Sequence, residues 1–238
     1  MGKIYTALGL MSGTSMDGVD ASIISSDGDS EYSLKIDKYF KYTDELRHKL
    51  INIRDKVLTI DDLKALSDDI KSLDRDITLF HAKVVNETIE TSKIEVDMVG
   101  FHGQTIFHNA EKKITKQLGD GEMLSKLAKK TVVYNFRQND LENEGQGAPL
   151  TPIYHNLLAK TFKEKGKVKL PITILNIGGI ANTTSINENY KMTSMDIGPG
   201  NCLIDKWVMG NSEKNFDKNG DIARSGKTDK FILEQTID

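Results

Sequence analysis

The feature that most constrains the fold is an order of strand, glycine-rich loop and strand that occurs twice in the chain. In the first copy, the apolar segment 4–10 leads through glycines into the apolar segment 19–25. In the second copy, segment 170–177 leads through two adjacent glycines into segment 180–186. A third predicted strand follows each pair, at residues 32–40 and 191–195. Because short apolar runs bounded by glycine are typical of buried strands, the repetition predicts two related α/β lobes.

Segments with helical spacing separate the two copies. Residues 43–93 carry Leu or Ile three or four positions apart, and a break near Thr59 predicts two helices. The other predicted elements before the second copy are strands at 96–101, 114–118 and 131–136, and helices at 122–130 and 149–163. We therefore place an N-terminal lobe with the first loop at residues 1–138. The start of a second lobe is placed at residues 139–238.

The composition excludes several classes of protein. The 238 residues are 38% hydrophobic and 28% charged, which is typical of a globular protein. A formal net charge of −3 gives no reason to expect nucleic acid or an anionic membrane surface as a partner. No apolar run approaches the roughly 18 residues of a membrane span. The single cysteine, Cys202, forms no intrachain disulfide or cysteine metal cluster, and it predicts a cytoplasmic location.

The first glycine-rich loop has the composition of a phosphate-binding loop. Gly13 and Gly18 let the backbone turn tightly, so that N–H groups and hydroxyls can face a phosphate. Val19 and Asp20 stand where a Walker A loop requires Lys and Ser or Thr, so this loop is of another kind. Asp17 and Asp20 are candidate ligands of a hydrated Mg²⁺. An ordinary hairpin turn explains the loop equally well.

The second glycine-rich loop contains Gly178, Gly179 and Asn182, at the equivalent position between two strands. One such loop is weak evidence for phosphate binding, but two at equivalent positions in repeated lobes are stronger. We expect the two loops to face each other across a cleft and hold a nucleoside triphosphate. This arrangement is similar to that of the fold shared by actin, heat-shock ATPases and sugar kinases, a ribonuclease H-like α/β fold.

An acidic residue stands near the end of the third strand of the second copy. Asp196 precedes a glycine turn, and a carboxylate at this position can act as a general base in a cleft. A structural role explains it as well, since Asp196 or Asn201 can cap the helix that contains Leu203 and Trp207. Both interpretations stay open from the residues alone.

Three further polar side chains are candidate contacts of a sugar. His102 and Gln104 follow the predicted strand 96–101, and both can form hydrogen bonds with hydroxyls. Arg137 leads into the glycine-rich segment 145–150 and can pair with a carboxylate through two parallel hydrogen bonds. The alternatives are an internal hydrogen bond for His102 and a surface salt bridge for Arg137. The other histidines in predicted helices are assigned no role: His48, His81 and His155.

Taken in order, these motifs form a set that resembles the anhydro-N-acetylmuramic acid kinase family. The motifs are GLMSGTSMDGVD at 9–20, HGQT at 102–105, QGAPL at 146–150, LNIGGIAN at 175–182, DIGPGN at 196–201 and FDKNG at 216–220. No single motif is specific, but together they are, and they span the whole chain. Their order also argues against another ATPase of the same fold, such as a chaperone.

The resemblance implies a reaction and its cofactors. The expected enzyme opens the internal anhydro bridge of 1,6-anhydro-N-acetylmuramic acid with water and transfers the γ-phosphoryl group of ATP to O6. The products are N-acetylmuramic acid 6-phosphate and ADP, in peptidoglycan recycling. By resemblance, Asp196 is the base that activates water, and Mg²⁺ bridges the phosphates. The segment that resembles the ATP phosphate loop is Gly13, Thr14, Ser15, Met16, Asp17, Gly18, Val19 and Asp20.

The chain departs from the family pattern in sequence and in length. Where the family has D-F-R-R-R-D, this chain has Asn135, Gln138 and Asn139 at the differing positions. Family members also run well beyond 238 residues, so we expect an incomplete second lobe and poor ATP binding by this polypeptide alone. The expected partner, besides the sugar, is a second copy in a homodimer or a complementing C-terminal fragment. The alternative function is a truncated, non-catalytic sugar- or nucleotide-binding remnant.

Overall fold

The computed structural model describes residues 2–237 and has a mixed α/β fold with a central five-stranded mixed sheet. The strands are β1 Tyr5–Met11, β2 Gly18–Ser26, β3 Tyr32–Lys41, β4 Met98–Phe101, β5 Gln104–Asn109, β6 Ile114–Leu118, β7 Thr131–Tyr134, β8 Ile172–Ile177, β9 Ile180–Ile186 and β10 Met192–Pro199. The helices are α1 Asp44–Lys56, α2 Ile60–Ala65, α3 Ser67–Ser92, α4 Gly121–Ala128, α5 Phe136–Glu142, α6 Pro152–Glu164, α7 Cys202–Asn211, α8 Asp221–Ser225 and α9 Lys230–Ile237. A short 3₁₀ turn, Lys218–Gly220, precedes α8.

The central sheet has the strand order β3-β2-β1-β4-β7. The first three strands in sequence are antiparallel neighbours. β4 is parallel to β1, and β7 is parallel to β4. The register places Leu8 opposite both Ile23 and Val99, and all three side chains are fully buried. Residues in register share one face of a sheet, so these strands present a continuous apolar surface.

Helix α3 covers that apolar surface. Its buried residues recur at spacings of three and four, so that one side of a 26-residue helix faces the core. The core residues include Ile70, Leu73, Ile77, Val84 and Val85. Each fully buried aliphatic side chain contributes about 1.5–3 kcal/mol, so this packing fixes α3 firmly against the strands. His81 lies on the same buried side, which brings an imidazole into the core.

Side chains near the helix ends explain where several helices begin. Thr43 accepts a hydrogen bond from the Leu46 amide at the start of α1, and Thr59 forms a reciprocal capping box with Asp62 at the start of α2. This cap lies at the break that the sequence pattern placed near Thr59. Within residues 2–237, no helix is long and apolar enough to cross a membrane.

The structure contains several elements that the sequence pattern did not predict, among them α2 as a separate helix, β5, α5 and α8. Strand β5 forms an antiparallel hairpin with β6, so Gln104 begins a strand instead of lying in a loop after β4. Helix α5 follows β7 directly and contains Arg137. Strand β10 is also longer than predicted and runs to Pro199, so Asp196 lies within the strand and not after it.

A three-stranded sheet of order β10-β9-β8 repeats the order of the first strand triplet. Two glycines, Gly178 and Gly179, connect β8 to β9. The chain divides into two compact units, and this sheet contributes residues to both. The units are Met1–Ile174 with Thr184–Met195, and Leu175–Thr183 with Asp196–Asp238.

Candidate functional site

The first glycine-rich loop, residues 12–17, connects two antiparallel strands at the edge of the central sheet. β1 ends with Met11 opposite Asp20 of β2. Inside the loop, the Met16 amide donates to the carbonyl of Gly13 at 3.2 Å. The Tyr42 amide donates to the carbonyl of Asp17 at 2.9 Å, which ties the loop to the residue after β3. The loop is therefore a structured turn with defined inner and outer sides.

On its inner side, the loop is held by a buried chain of hydrogen bonds. The Ser12 hydroxyl lies 3.0 Å from Nε2 of His81, and the Tyr42 hydroxyl donates to the Ser12 Oγ at 3.2 Å. Nδ1 of His81 lies 2.8 Å from the carbonyl oxygen of Ile77. Burial lowers the pKa of His81 to about 4, so the imidazole is neutral at physiological pH. Burial also raises the pKa of the Tyr42 hydroxyl, which therefore stays protonated.

A second support comes from strand β5. Gln104 is fully buried, and its Nε2 donates to the carbonyl of Gly13 at 2.9 Å. Its Oε1 is buried without a hydrogen-bond partner among the residues that the structure describes. Gln104 was predicted to contact a sugar, and in the structure its amide nitrogen is already used in holding the loop.

Three of the predicted phosphate-loop residues have structural roles. Met16 adopts a φ of +53° and is 1% exposed, and Val19 is fully buried in the core. A Cβ on Gly18 would collide with the carbonyl oxygen of Phe40 and with the ring of Tyr39. The side chains of Met16 and Val19 are therefore not available to a ligand at the surface, and position 18 has room only for glycine.

The outer side of the loop carries hydroxyls and carboxylates. Thr14, Ser15, Asp17 and Asp20 are exposed, and the Ser15 hydroxyl donates to a carboxylate oxygen of Asp17. Partial burial, followed by the negative charges of Asp37 and Asp17, raises the pKa of Asp20. A cation is favoured where carboxylates repel one another in this way. Among residues 2–237, no three His, Cys, Asp or Glu side chains form a set that can hold a metal ion.

His102 is placed beside the first loop by strand pairing. β1 and β4 are parallel neighbours, with Leu10 opposite Phe101, so the residues that follow them are adjacent. Nε2 of His102 lies 3.2 Å from the sulfur of Met11, while its Nδ1 is buried without a partner in the described chain. Burial, helped by the positive charge of Arg137, lowers the pKa of His102 to about 4.

Arg137 holds a neighbouring glycine-rich turn and does not form the surface salt bridge that was its structural alternative. One guanidinium nitrogen donates to the carbonyl of Gly147 at 2.8 Å, and Asp140, one turn later on α5, accepts from the Gly147 amide at 2.7 Å. Burial lowers the pKa of Arg137, and its Nε has no partner among the described residues. His102, Gln104 and Arg137 all lie in the first unit.

The second glycine-rich loop is held by backbone hydrogen bonds. The Gly200 amide donates to the carbonyl of Gly179, and the Asn201 amide donates to that of Gly178, both at 2.9 Å. A Cβ on Gly200 would collide with the carbonyl oxygen of Gly178. Glycine at position 200 is therefore required for the close approach of these two segments.

The remaining predicted residues of the second unit lie near this loop in the sequence. Oδ1 of Asn182 is buried without a hydrogen-bond partner in the part of the chain that the structure describes. Asp196 is exposed on β10. Asn201 precedes the first residue of α7 but forms no side-chain cap, so neither Asn201 nor Asp196 acts as the predicted capping group.

Sequence reasoning missed the inner supports of the first loop. His81 was assigned no role because it lies in a helix, and Tyr42 was not singled out. Ser12 was quoted within a motif but not as a site residue. The available signal is a histidine on the apolar side of α3, which must find a partner when buried.

The chain thus has a mixed α/β fold with two glycine-rich loops at equivalent strand connections. The family model for anhydro-N-acetylmuramic acid kinase matches residues 5–238, and the chain belongs to that family. Curated proteins named anhydro-N-acetylmuramic acid kinase are 55% identical in Pelagibacter ubique, 40% in Agrobacterium fabrum and 38% in Rhodopseudomonas palustris. The matches cover 100%, 95% and 98% of this chain but only 63%, 61% and 64% of those relatives.

Among solved structures, the Aquifex aeolicus PPX-GPPA enzyme aligns with this chain at a TM-score of 0.40 and 12% sequence identity. The alignment covers 87% of this chain and 56% of that one. At this TM-score, the similarity supports no inference about fold or function.

Proposed function

We propose that this chain belongs to an ATP-dependent sugar kinase that converts 1,6-anhydro-N-acetylmuramic acid, ATP and water to N-acetylmuramic acid 6-phosphate and ADP. This activity would serve peptidoglycan recycling and amino-sugar catabolism in the cytoplasm. The observation that carries the proposal is the family match over residues 5–238. Because the chain spans 61–64% of the length of the relatives described above, the activity is proposed for the whole protein.

The proposed architecture is the two-lobed fold of actin, heat-shock ATPases and sugar kinases, with lobes at 1–138 and 139–238 and an incomplete second lobe. The repeated order of the two strand triplets supports it. The β3-β2-β1 order of the first triplet recurs as β10-β9-β8, and each triplet has a glycine-rich connection between its first two strands. Such a repetition is expected when two related lobes each contribute one loop to a nucleotide.

The first loop is the proposed ATP phosphate site. Its outer side offers the exposed hydroxyls of Thr14 and Ser15, and its tight turn supplies backbone N–H groups. The carboxylates of Asp17 and Asp20 suit a Mg²⁺ ion that also contacts phosphate oxygens, because Mg²⁺ prefers one or two carboxylates together with phosphates. Mg²⁺ would offset the charge that develops during phosphoryl transfer. Gly178, Gly179 and Asn182 are the proposed contacts from the second loop.

Asp196 is the proposed general base. The family resemblance supplies this role, and its exposure on β10 leaves the carboxylate accessible to water. The base would take a proton from the water that attacks the anomeric carbon, while O6 of the opened bridge receives the phosphoryl group.

His102 and Arg137 are the proposed direct contacts of the sugar, and Gln104 is proposed to support them. His102 keeps an unpartnered Nδ1, and Arg137 keeps an unpartnered Nε, within the described chain. Because buried polar atoms are normally paired, these two atoms are suited to groups of a bound ligand. Gln104 would act mainly through the loop that it holds.

The test is phosphoryl transfer from ATP to the anhydro sugar by the purified chain, followed by ³¹P NMR of the product. We expect Asp196→Asn to lower kcat by about 10²–10⁴-fold, the usual contribution of a general base. Asp205→Asn, in α7 of the same unit, is the matched control and should leave kcat unchanged. Equal rates in the two variants would exclude Asp196 as the base.

A folded sample without turnover would favour the alternative, a non-catalytic sugar- or nucleotide-binding remnant. Titration calorimetry with ATP then separates the cases, because we expect weak binding by this polypeptide alone and micromolar binding would contradict that. Sedimentation measurements test the proposed homodimer. Adding a polypeptide that corresponds to the remaining length of the relatives tests the complementing fragment.

A further inference from the structure

We propose that His81 is a positioning residue for the first glycine-rich loop and acts through Ser12. The inference rests on the proposed function only in taking this loop as the nucleotide phosphate site. His81 lies 69 positions from Ser12 in the sequence, and α3 brings it under the loop. It is 1% exposed, so it contacts the loop from inside the protein and does not touch the ligand.

The hydrogen-bond directions follow from the partners. A backbone carbonyl only accepts, so Nδ1 of His81 carries the proton and donates to Ile77. In the neutral imidazole, Nε2 is then an acceptor, and the Ser12 hydroxyl donates a hydrogen bond to it. Ser12 in turn accepts from the Tyr42 hydroxyl. Both ring nitrogens of His81 and the hydroxyls of Ser12 and Tyr42 are thus hydrogen-bonded, which fixes a single arrangement.

Few other side chains meet these requirements. The position needs a neutral group that donates at one end and accepts at the other, inside a core. The ring of Phe101 meets the imidazole edge to face, with centroids 5.0 Å apart, and so restricts its rotation. An apolar replacement would leave the buried Ser12 hydroxyl with one hydrogen bond fewer.

This arrangement divides the loop residues by role. The Ser12 hydroxyl proton is committed to His81, so it is not available to a phosphate. Gly13, the next residue, is held by Gln104 through its carbonyl. Two consecutive residues are thus fixed by α3 and β5. Because the Ser15 hydroxyl donates to Asp17, the exposed hydroxyl of Thr14 is left as the outward side-chain donor. A loop fixed in its binding conformation loses less entropy when a ligand binds.

The first experiment is amide hydrogen exchange by NMR on the whole chain without ligand. The Met16 amide reports the loop because it donates to Gly13. We expect His81→Leu and Ser12→Ala each to lower its protection about tenfold, the effect of one buried hydrogen bond. His81→Gln, which keeps an acceptor near the position of Nε2, should restore most of it. Thr88→Val, a buried change on α3 away from the loop, should leave it unchanged.

A double variant distinguishes positioning from general loosening. Ser12→Ala with His81→Leu removes both partners, so we expect its Met16 protection to equal that of either single variant. Unchanged protection in a folded His81→Leu variant, or additive losses in the double variant, would overturn the proposal. Should His81→Leu fail to fold, the other two variants test the proposal. Met16 protection should fall in Ser12→Ala and stay mostly intact in His81→Gln.

Kinetics supply the second readout. In the phosphoryl-transfer assay, His81→Leu should raise KM for ATP about tenfold and leave KM for the sugar unchanged. A change in the sugar KM of the same size would count against a role at the nucleotide loop. Absence of turnover even after the complementing polypeptide is added would sink the proposed function, while loss of Met16 protection in His81→Leu would still support the positioning role.

Discussion

The two glycine-rich loops occupy equivalent positions between strands but are held by different means. The first is supported from the core by side chains, with His81 and Tyr42 bonded to Ser12. The second is held by three backbone hydrogen bonds, which the amides of Gly200, Asn201 and Cys202 donate. A glycine-rich motif therefore specifies a turn, whereas the residues that hold it are specified elsewhere in the sequence.

The strands that lead into the two loops also differ in how deeply their apolar side chains are buried. Leu8 and Leu10, on the strand before the first loop, are buried, whereas Leu175 and Ile177, on the strand before the second loop, are 52% and 64% exposed. Burial of neighbouring apolar groups is what makes a loop part of the core. The first loop should thus be coupled to global unfolding, and the second should respond mainly to local changes.

The largest expected effect comes from removing the anchor of the first loop. Met16→Ala should lower the free energy of unfolding by about 2–5 kcal/mol, because it empties space at a residue that is 1% exposed. Urea unfolding followed by far-UV circular dichroism measures this. Thr14→Ala, an exposed change in the same loop, is the control and should stay within about 0.5 kcal/mol. Equal effects would mean that the first loop is not coupled to the core.

The next largest effect depends on pH. His81 has a pKa of about 4 in the folded chain, below the value of about 6.5 in an unfolded one. The unfolded chain therefore binds more protons between these values. Stability should be full above pH 6.5 and fall by up to about 3 kcal/mol as the pH drops to 4.

Urea unfolding of the parent and of His81→Gln from pH 7.5 to 4 checks the pH prediction. The part of the pH dependence of the unfolding free energy that comes from His81 should vanish in the variant. His102, whose pKa is also lowered, contributes a slope of the same sign that remains in His81→Gln. An identical pH dependence in both proteins would show that His81 is not buried as a neutral group.

The second loop should be sensitive to a change in backbone spacing. Gly200→Ala would press a Cβ against the carbonyl oxygen of Gly178, at a cost of about 1–3 kcal/mol. Fluorescence of Trp207, the single tryptophan, reports this change because it lies in α7 just after Gly200. Gly210→Ala, in the same helix with open space around it, should instead stabilise α7 by about 0.5–1 kcal/mol. Similar shifts in both variants would refute the steric explanation.

The smallest effect is expected for Asn182 of the second loop, and Ser12 of the first loop is its counterpart. Ser12→Ala should cost about 1–3 kcal/mol, because it leaves buried partners on Tyr42 and His81 unsatisfied. Asn182→Ala should change stability by no more than about 0.5 kcal/mol, because its Oδ1 has no partner to lose among the described residues. Thermal unfolding of the two variants side by side measures both. A larger loss in Asn182→Ala would reverse the contrast between the loops.

Much of the fold followed from hydrophobic periodicity. The strand triplets and the long helical region were predicted because alternation and helical spacing record which residues are buried. β5 was missed because its first buried position is Gln104, a polar residue that the pattern treats as a break. α5 was missed because it has seven residues and no side-chain cap at Asn135, so no start signal marks it.

For the candidate site, the sequence pointed to exposed polar residues but not to their buried supports. Motifs mark polar residues beside glycines as candidates for ligand contact, so Thr14, Asp17 and Asp196 stood out in the sequence. A contact such as that of Ser12 with His81 depends on how a helix docks 69 residues later, and a buried histidine has the same local pattern as any core position. The ligand roles and the lobe boundaries stay predictions.

The pairing of β1 with β4 has a consequence for insertions and deletions. Leu10 lies opposite Phe101 in a parallel register, and the two segments that follow, with Met11 and His102, meet at the same edge. One residue added to either strand would turn each later side chain to the opposite face of the sheet. Length changes should therefore be tolerated in the β5–β6 turn, residues 110–113, but not between residues 5 and 11 or 98 and 102.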